Sequence, residues 1–176
     1  MEETTGFFQV VRARHSTRAF VDRLVEPEML RAVLDAANRA PSAGNLQAYE
    51  IYVVTNRATR EALARAALDQ AFVAHAPVLL VFCAHPARSA GKYGDRGRML
   101  YCIQDATIAC AYAQLAATAL GLATVWVGAF DEEAVRQALG EDHRLRPVAI
   151  LPVGYPGERP EITTRRPLED LVHHVR

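Results

Sequence analysis

The sequence predicts a single α+β domain in which four strands form a central sheet flanked by helices. Four segments are rich in β-branched, aromatic or continuous apolar residues, and stretches with helical spacing separate them. The length of 176 residues suits one domain, and the shares of apolar (51%) and charged (23%) residues are typical of a globular chain. We find no repeat or low-complexity tract, so one domain is expected over 1–176.

The first half of the chain alternates between helix and strand. Residues 27–40 predict a helix, because Pro27 suits a first turn and apolar residues follow helical spacing up to the breaker Pro41. A strand is expected at 49–55 and a second helix at 57–68. These boundaries leave a short polar turn between the first of these helices and the first strand.

The middle of the chain supplies the centre of the sheet and the longest helix. The continuous apolar run at 77–84 predicts a strand buried on both faces. Residues 85–98 hold turn formers and charges and predict a loop, after which a helix runs from about Met99 to Leu120. We predict that this helix is uncharged, and an apolar helix of this kind is expected in a core or at a subunit interface.

The last third completes the sheet and ends in a tail. Strands are expected at 122–129 and 147–155, and between them Asp131 caps a short helix that ends near Gly140. The tail, from about 156 to 176, carries several prolines, which favour extended chain over a regular element. We therefore expect it to run over a surface.

Charge and cysteine content exclude several classes of protein. Twenty basic residues balance twenty acidic ones, so no overall field favours nucleic acid or an anionic membrane. The three cysteines lack CxxC spacing and predict buried, reduced thiols rather than disulfides or a metal site. The acidic start argues against a secretory signal, and the uncharged stretch 106–130 favours a buried helix and strand over a membrane span. We expect a cytoplasmic protein.

An arginine-rich motif, RHSTRAF at 14–20, lies near the end of the first helix. Arg14, Ser16 and Arg18 could together hold a phosphate, because guanidinium groups donate paired hydrogen bonds to oxyanions and a hydroxyl adds another donor. Taken alone, the motif is also typical of a solvated polar turn.

A second motif, PSAGNLQAYE at 41–50, joins a helix to a strand. Gly44 permits a tight turn there, and the amides of Asn45 and Gln47 could contact the edge of a heteroaromatic ring. An ordinary helix-to-strand loop would have the same composition.

Two further motifs lie in the second half. In TVWVGAFDEE the strand ends at Gly128, where the missing side chain would let a flat ligand approach the backbone. TTRRPLEDLV places Arg165 and Arg166 near the C-terminus. A plain strand-to-helix turn and a basic surface turn explain these two motifs equally well.

The four motifs in this order resemble the nitroreductase family, from about Val11 to the C-terminus. The resemblance implies a mainly antiparallel sheet flanked by helices, in an intertwined homodimer that holds FMN between its subunits. The long helix would lie in the dimer interface, and the tail would wrap the partner.

The resemblance also implies roles for individual residues. The FMN phosphate and ribityl chain would be bound by Arg14, by Ser16, by His15 through its backbone, and by the pair Arg165 and Arg166. The remaining FMN contacts would come from Arg18 at the N1 and O2 edge, Gln70 at the ribityl chain, the main chain of Val127 and Gly128 beside N5, and Pro41, Ser42, Asn45 and Gln47 of the partner subunit.

The activity that the resemblance implies is a ping-pong oxidoreduction. NADPH or NADH would give hydride to flavin N5, and a nitroaromatic, a quinone or a similar flat electrophile would then take it. A family member with other flavin chemistry, such as reductive dehalogenation or flavin breakdown, and a flavin-binding protein without turnover remain alternatives. Ala48 and Tyr49 depart from the family's Pro-Trp, and the short chain suggests a reduced substrate lid.

Other kinds of site are disfavoured. GxGxxG is absent, and Gly91-Lys92 lacks the flanking residues of a phosphate-binding P-loop. His173 and His174 are adjacent, so their side chains point in different directions and make a poor metal pair. Cys102 and Cys110 have no neighbouring base that would make a nucleophile.

Overall fold

The computed structural model describes residues 6–140, 143–159 and 163–175. The α-helices of this part are α1 (Phe7–Ala13), α2 (Pro27–Asn38), α3 (Arg57–Ala66), α4 (Ala71–His75), α5 (Pro86–Arg96), α6 (Cys102–Ala119) and α7 (Glu132–Leu139). The strands are β1 (Tyr49–Val54), β2 (Val78–Ala84), β3 (Ala123–Thr124) and β4 (Arg146–Gly154). Single turns of 3-10 helix at Ala43–Asn45 and Leu168–Asp170 and a π-helix at Gly97–Tyr101 complete the described elements.

The four strands form one antiparallel sheet in the order β1-β2-β4-β3. Every residue of β2 is buried, as its continuous apolar sequence predicts for a central strand. The predicted strand at 122–129 is shorter than expected: β3 pairs only over Ala123–Thr124, and the chain rejoins β4 where Val127 exchanges two main-chain hydrogen bonds with Ile150.

Helices cover both faces of the sheet, and successive residues of β2 face the two sides alternately. Leu80 and Phe82 pack with α2 and α6, whereas Leu79 and Val81 pack with α3, α4 and α7. The helix α6 lies close to the sheet because its buried face consists largely of small residues: Ala106, Ala109, Cys110, Ala113 and Ala117. This arrangement confirms the predicted α+β class.

The prediction of a loop at 85–98 is wrong, because this segment forms α5 and part of the π-helix. The His85 side chain accepts a hydrogen bond from the Arg88 N–H at 3.2 Å, and Pro86 occupies the first turn, so the helix has a proper start. The chain reverses at Gly94 (φ 56°), and Gly97 then packs directly on the Ser89 carbonyl. The glycines that suggested a loop instead allow the helical chain to reverse its direction sharply.

The prediction that the long helix is uncharged is also wrong. Asp105 lies in the first turn of α6 and is 2% exposed. Within the described chain, no helix combines the length and the apolar composition needed to cross a bilayer.

The chain after β4 is anchored to the segment after α1 and to the start of α2. The Val21 N–H donates to the Tyr155 carbonyl at 3.0 Å. Glu26 accepts hydrogen bonds from the Tyr155 hydroxyl at 2.5 Å and from Arg23 at 2.6 Å. These bonds from Tyr155 and Arg23 lower the pKa of Glu26 to about 2.

We expect the contribution of Glu26 to stability to depend on acidity. Its pKa is about 2 in the folded protein against 4.5 for the free group, so its stabilising effect is full above about pH 4.5 and is lost as pH falls through about 2. The difference in melting temperature between the native protein and Glu26→Gln should shrink over that window. Glu28→Gln, in the same turn without these contacts, is the control; a constant difference across the window would contradict the prediction.

Candidate functional site

A cavity of about 680 Å³ lies between the segment that follows α1 and the chain beyond β4. It is lined by Arg14, His15, Ser16, Arg18, Glu158, Arg159, Thr163 and Arg165. Four guanidinium groups against one carboxylate give the cavity an excess of positive charge, which would favour an anion. The structure thus brings together the predicted N-terminal motif and one arginine of the predicted C-terminal pair.

Main-chain contacts fix the shape of the N-terminal wall of this cavity. The Thr17 N–H donates to the Thr124 carbonyl at 3.0 Å, which attaches the segment to β3. The Glu158 carboxylate accepts from the N–H groups of Arg18 at 2.6 Å and Ala19 at 3.1 Å. Glu158 therefore positions the arginine-rich segment, a role that no local motif signals because the partners are far apart in sequence.

Donors on this wall remain available to a ligand. The main-chain N–H groups of His15 and Ser16 make no hydrogen bond to the part of the chain that the structure describes. His15 Nδ1 lies 2.7 Å from the Ala13 carbonyl, so its ring is held against its own backbone. This arrangement is compatible with the predicted contact of His15 through its backbone.

The two arginines of the C-terminal pair differ in position. Arg165 lines the cavity, and its guanidinium donates to the Thr163 hydroxyl at 2.8 Å. Arg166 is not among the lining residues, and it donates to the Asp170 carbonyl at 3.1 Å. The structure therefore places only Arg165 with the N-terminal motif.

A second group of predicted residues meets near Ala129. The Gln70 amide donates to the Ala67 carbonyl at 2.8 Å and to the Ala129 carbonyl at 3.4 Å. The Arg18 guanidinium lies 5.9 Å from the centre of the Phe72 ring, two residues beyond Gln70. Arg18 therefore links the anion cavity to the start of α4.

Val127 and Gly128 have different capacities to bind a ligand. Val127 is buried and uses both its N–H and its carbonyl in pairing with Ile150, so its main chain has no donor to offer. Gly128 is exposed, and its N–H has no hydrogen-bond partner within the described chain. Of the two predicted main-chain contacts, only the amide of Gly128 is available.

The loop from Pro41 to Ala48 has an unusual backbone. Gly44, Asn45 and Gln47 all have positive φ (57°, 59° and 42°), which costs a non-glycine residue about 1 kcal/mol or more. The Ser42 hydroxyl accepts from the Gln47 N–H at 3.0 Å and from its side-chain amide at 3.1 Å. Because the Gln47 amide also donates to Asn45 at 2.6 Å, three of the predicted residues form one network.

The Asp105 carboxylate attaches this loop to α6. Its carboxylate accepts from the Ala43 N–H at 2.9 Å and from the Ala48 N–H at 3.3 Å. The two bonds attach both ends of the strained turn to α6. Sequence analysis missed this residue, although a single carboxylate within an otherwise apolar helix was a signal that could have found it.

The helix α5 contacts the same loop through Arg88. The Arg88 guanidinium donates to the Gln47 carbonyl at 2.7 Å and to the Tyr49 carbonyl at 3.3 Å, and it pairs with Glu50 at 2.6 Å. Sequence analysis missed Arg88 because it assigned this segment to a loop.

The predicted loop residues do not reach the anion cavity within one chain. Pro41 and Ser42 line a different cavity, of about 520 Å³, which shares no residue with the first. Its other lining residues are Ala43, Tyr101, Ile103, Gln104, Asp105, Thr107 and Ile108. A single chain therefore carries the two predicted groups of residues at separate places.

The residues that depart from the family motif are buried. Ala48 is fully buried and Tyr49 is 7% exposed. The Tyr49 hydroxyl donates to the Ala37 carbonyl at 3.3 Å, and burial together with the Asp105 carboxylate raises its pKa. The tyrosine thus joins the loop to α2.

The remaining reactive side chains lie in unreactive settings. Burial raises the pKa of the Cys102 and Cys110 thiols, which disfavours the nucleophilic thiolate. In the described ranges, no group of three or more His, Cys, Asp and Glu side chains is placed to hold a metal ion.

The fold and the cavities define a class of protein: an α+β domain with an arginine-lined cavity and an unpaired main-chain N–H on an exposed glycine. Comparison with known proteins identifies the family. A family model described as the nitroreductase family matches residues 11–74 and 65–155, and the chain belongs to this family.

Similar proteins of known name support this assignment. The chain is 34% identical over 186 residues to an NADH dehydrogenase of Thermus thermophilus, with 90% of this chain and 91% of the relative covered. It is 30% identical over 172 residues to an oxygen-insensitive NADPH nitroreductase of Salmonella typhimurium, with 94% and 72% covered.

Solved structures show the same fold. The NADPH:FMN oxidoreductase from Vibrio harveyi, complexed with NAD+, superposes with a TM-score of 0.88 at 28% identity, over 97% of this chain and 77% of that one. Nitroreductase A from Vibrio parahaemolyticus gives a TM-score of 0.88 at 29% identity, over 97% and 75%. The predicted family, fold and enzyme class, an oxidoreductase, are confirmed.

Replacement of Asp105 tests how the loop is held. Asp105→Asn keeps the shape of the side chain but turns one acceptor into a donor that faces a main-chain N–H. Because hydrogen bonds to a charged group contribute about 1.5–3 kcal/mol each, we expect the free energy of unfolding to fall by about 2 kcal/mol. Amide exchange at Ala43 and Ala48 should accelerate well beyond that of the rest of the chain.

The matched control is Asp35→Asn, which removes an exposed ion pair with Arg31 on α2. We expect this change to cost less than about 1 kcal/mol and to leave the loop amides protected. Unchanged exchange at Ala43 and Ala48 in Asp105→Asn would show that the carboxylate does not hold the loop.

Proposed function

We propose that this protein is an FMN-dependent oxidoreductase that works as a homodimer and transfers electrons from NADPH or NADH to nitroaromatics, quinones or similar flat electrophiles. The observation that carries the proposal is the cavity in which Arg14, Arg18 and Arg165 converge. The names of relatives agree, since they include an FMN reductase of Bacillus subtilis and an NADPH-flavin oxidoreductase of Vibrio harveyi.

The residues present fit a flavin mononucleotide. Its phosphate requires several converging donors, and the guanidinium groups of Arg14 and Arg165, the Ser16 hydroxyl and the free N–H of Ser16 supply them. Its ring requires a flat approach to the main chain, and Gly128 offers an exposed backbone with an unpaired N–H. Riboflavin without the phosphate would leave the arginines unused.

Bound FMN would supply the two-electron chemistry, and the chain's own residues would orient and tune it. The Gly128 N–H would donate to the ring, Gln70 would contact the ribityl chain, and Arg18 would place a positive charge near the pyrimidine edge, where it favours a reduced, anionic flavin. Donor and acceptor would use the same cleft in turn, in a ping-pong order. For a quinone the balance is quinone + NAD(P)H + H+ giving hydroquinone + NAD(P)+.

The homodimer would complete the site. Pro41, Ser42, Asn45 and Gln47 would contact the FMN of the partner subunit, since within one chain their loop opens on a separate cavity. Exposed apolar side chains on α1 and on the tail favour such an interface; they are Phe7, Phe8, Val11, Leu168, Leu171, Val172 and Val175. We propose one nitroreductase-like domain over 1–176, whose tail from about 156 wraps the partner.

The first experiment is a spectrum of the purified protein after incubation with FMN and desalting, followed by anaerobic addition of NADPH and then NADH. Retained flavin bands that bleach with either nucleotide support the proposal. Retained bands that do not bleach would favour a flavin-binding protein without turnover, and loss of all flavin would overturn FMN binding.

The arginine cavity makes a sharper prediction about the phosphate. Arg14→Ala should raise the dissociation constant of FMN about tenfold to a hundredfold, the loss expected for a charged hydrogen bond, and should leave that of riboflavin unchanged. Fluorescence titration of both flavins measures the two constants. Arg12→Ala is the control, because Arg12 is exposed on α1 and does not line the cavity. Equal weakening of both flavins by Arg14→Ala would contradict a phosphate contact.

A further inference from the structure

A second group of cations lies near the loop Pro41–Ala48, which Lys92 contacts at Gly44. It consists of Lys92 and Arg96 on α5, with the rings of Tyr93 and Tyr101. Lys92 is the only lysine among the 176 residues, in a chain whose other nineteen basic residues are arginines. Neither the motifs nor the proposed FMN site uses these cations.

The Lys92 ammonium is placed directly over the loop. A β-carbon built on Gly44 would lie 2.6 Å from Lys92 Nζ and would also collide with the Tyr93 hydroxyl. Gly44 has φ 57°, so its backbone as well as its surroundings favour glycine. The missing side chain is therefore what lets the ammonium approach the turn.

The two tyrosines hold the cations in place. Their rings meet edge to face at 5.1 Å, with Lys92 Nζ 5.4 Å from the centre of the Tyr93 ring and the Arg96 guanidinium 5.4 Å from that of Tyr101. Arg96 Nε also donates to the Tyr101 hydroxyl at 3.0 Å. The cluster is thus an ordered cation and aromatic surface.

Neither cation of this cluster forms a salt bridge within the described residues. In the part of the chain that the structure describes, no carboxylate lies within 4.0 Å of Lys92 or Arg96. By contrast, Arg88 on the same helix pairs with Glu50 at 2.6 Å and anchors α5 to β1. The start of α5 is therefore fixed by an ion pair, whereas its second half carries two cations without a salt bridge in the described structure.

The cluster borders the cavity that the loop Pro41–Ala48 helps to line. Tyr101 lines that cavity together with Pro41 and Ser42. Where this loop meets the flavin of the partner, as in the proposed dimer, Lys92 and Arg96 stand at the edge of the cleft that admits flat electrophiles.

We propose that Lys92 and Arg96 form an anion subsite beside that cleft, which selects flat aromatic ligands carrying a negative charge, such as a carboxylate or a sulfonate. The inference rests on the proposed function, because it takes the cleft from the proposed dimer. The shared chemistry is an aromatic ring with an attached anion. Two sources could supply it: an aromatic acid that acts as acceptor, or the nicotinamide dinucleotide with its phosphates.

Equilibrium binding to the oxidised holoprotein tests the subsite without turnover. The probes are 4-nitrobenzoate and 4-nitrobenzamide, which have similar size and shape but differ in charge. Calorimetric titration should show tighter binding of the carboxylate, and Lys92→Met should weaken it about threefold to fivefold while leaving the amide unchanged. Rising salt concentration should reduce the preference for the carboxylate.

Three variants serve as controls. Lys92→Arg should restore the preference, since it keeps the charge. Arg65→Met removes one positive charge from α3, outside both cavities, and should change neither affinity. The double variant Lys92→Met with Arg96→Met should lose about tenfold in carboxylate affinity and keep the FMN dissociation constant of the native protein.

Stopped-flow reduction separates the two sources. NADPH and an N-alkyl dihydronicotinamide without phosphates are compared as donors for the native protein and Lys92→Met. If Lys92→Met weakens only the calorimetric binding of 4-nitrobenzoate, the acceptor supplies the anion. If it slows only the reduction by NADPH, the dinucleotide supplies it.

The subsite is overturned if the affinity for 4-nitrobenzoate and the rate of reduction by NADPH are both unchanged in Lys92→Met and in the double variant. Failure of the underlying function is recognised separately, because a protein that retains no FMN, or whose flavin no donor reduces, fails before the charge comparison begins. The single lysine offers an independent check: an amine-reactive reagent should modify Lys92 more slowly with 4-nitrobenzoate present than with 4-nitrobenzamide, and equal rates would also count against the subsite.

Discussion

The pairing of β4 with its neighbours is the constraint on which the rest of the structure depends. One edge of β4 pairs with β2 in the centre of the sheet, and the other holds β3 and then Val127. The chain beyond β4 pairs with the segment after α1 through Phe20 and Pro156. The segments that line the arginine cavity and the segment that carries the free amide of Gly128 are therefore attached to the same part of the sheet, although the lining residues themselves lie in loops.

Carboxylates that accept main-chain hydrogen bonds offset a problem that such a site creates. Guanidinium groups that converge on one cavity repel one another, and turns with positive φ are unfavourable for asparagine and glutamine. Glu158 and Asp105 counter these costs in the same way, since each accepts two main-chain N–H bonds that shape a binding segment. Neither carboxylate spends its acceptors on an arginine side chain in the described structure, so the guanidinium groups of the cavity stay available to a ligand.

The sequence predicts the elements better than it predicts what holds them in place. The continuous apolar run of β2 identifies the central strand, because burial on both faces leaves a clear pattern, and the dense local cluster from Arg14 to Arg18 predicts the arginine-lined cavity. Asp105 and Glu158 act on residues 57 and 139 or more positions away, and no local pattern records such a contact. The helix α5 was missed for another reason: its glycines suggested a loop, whereas Gly94 and Gly97 serve a tight reversal whose close packing only the fold reveals.

The distribution of ion pairs separates cations that support the fold from those that can serve a ligand. Arg23, Arg88 and Arg136 pair with carboxylates and join elements of the fold, or successive turns of one helix. The arginines of the first cavity and the pair Lys92 and Arg96 lack such partners within the described chain, and they flank the two cavities that a dimer would combine. Because the overall charge is zero, these local excesses must be matched by acidic excess elsewhere on the surface. A chain without net charge can in this way direct anions to one cleft without attracting polyanions in general.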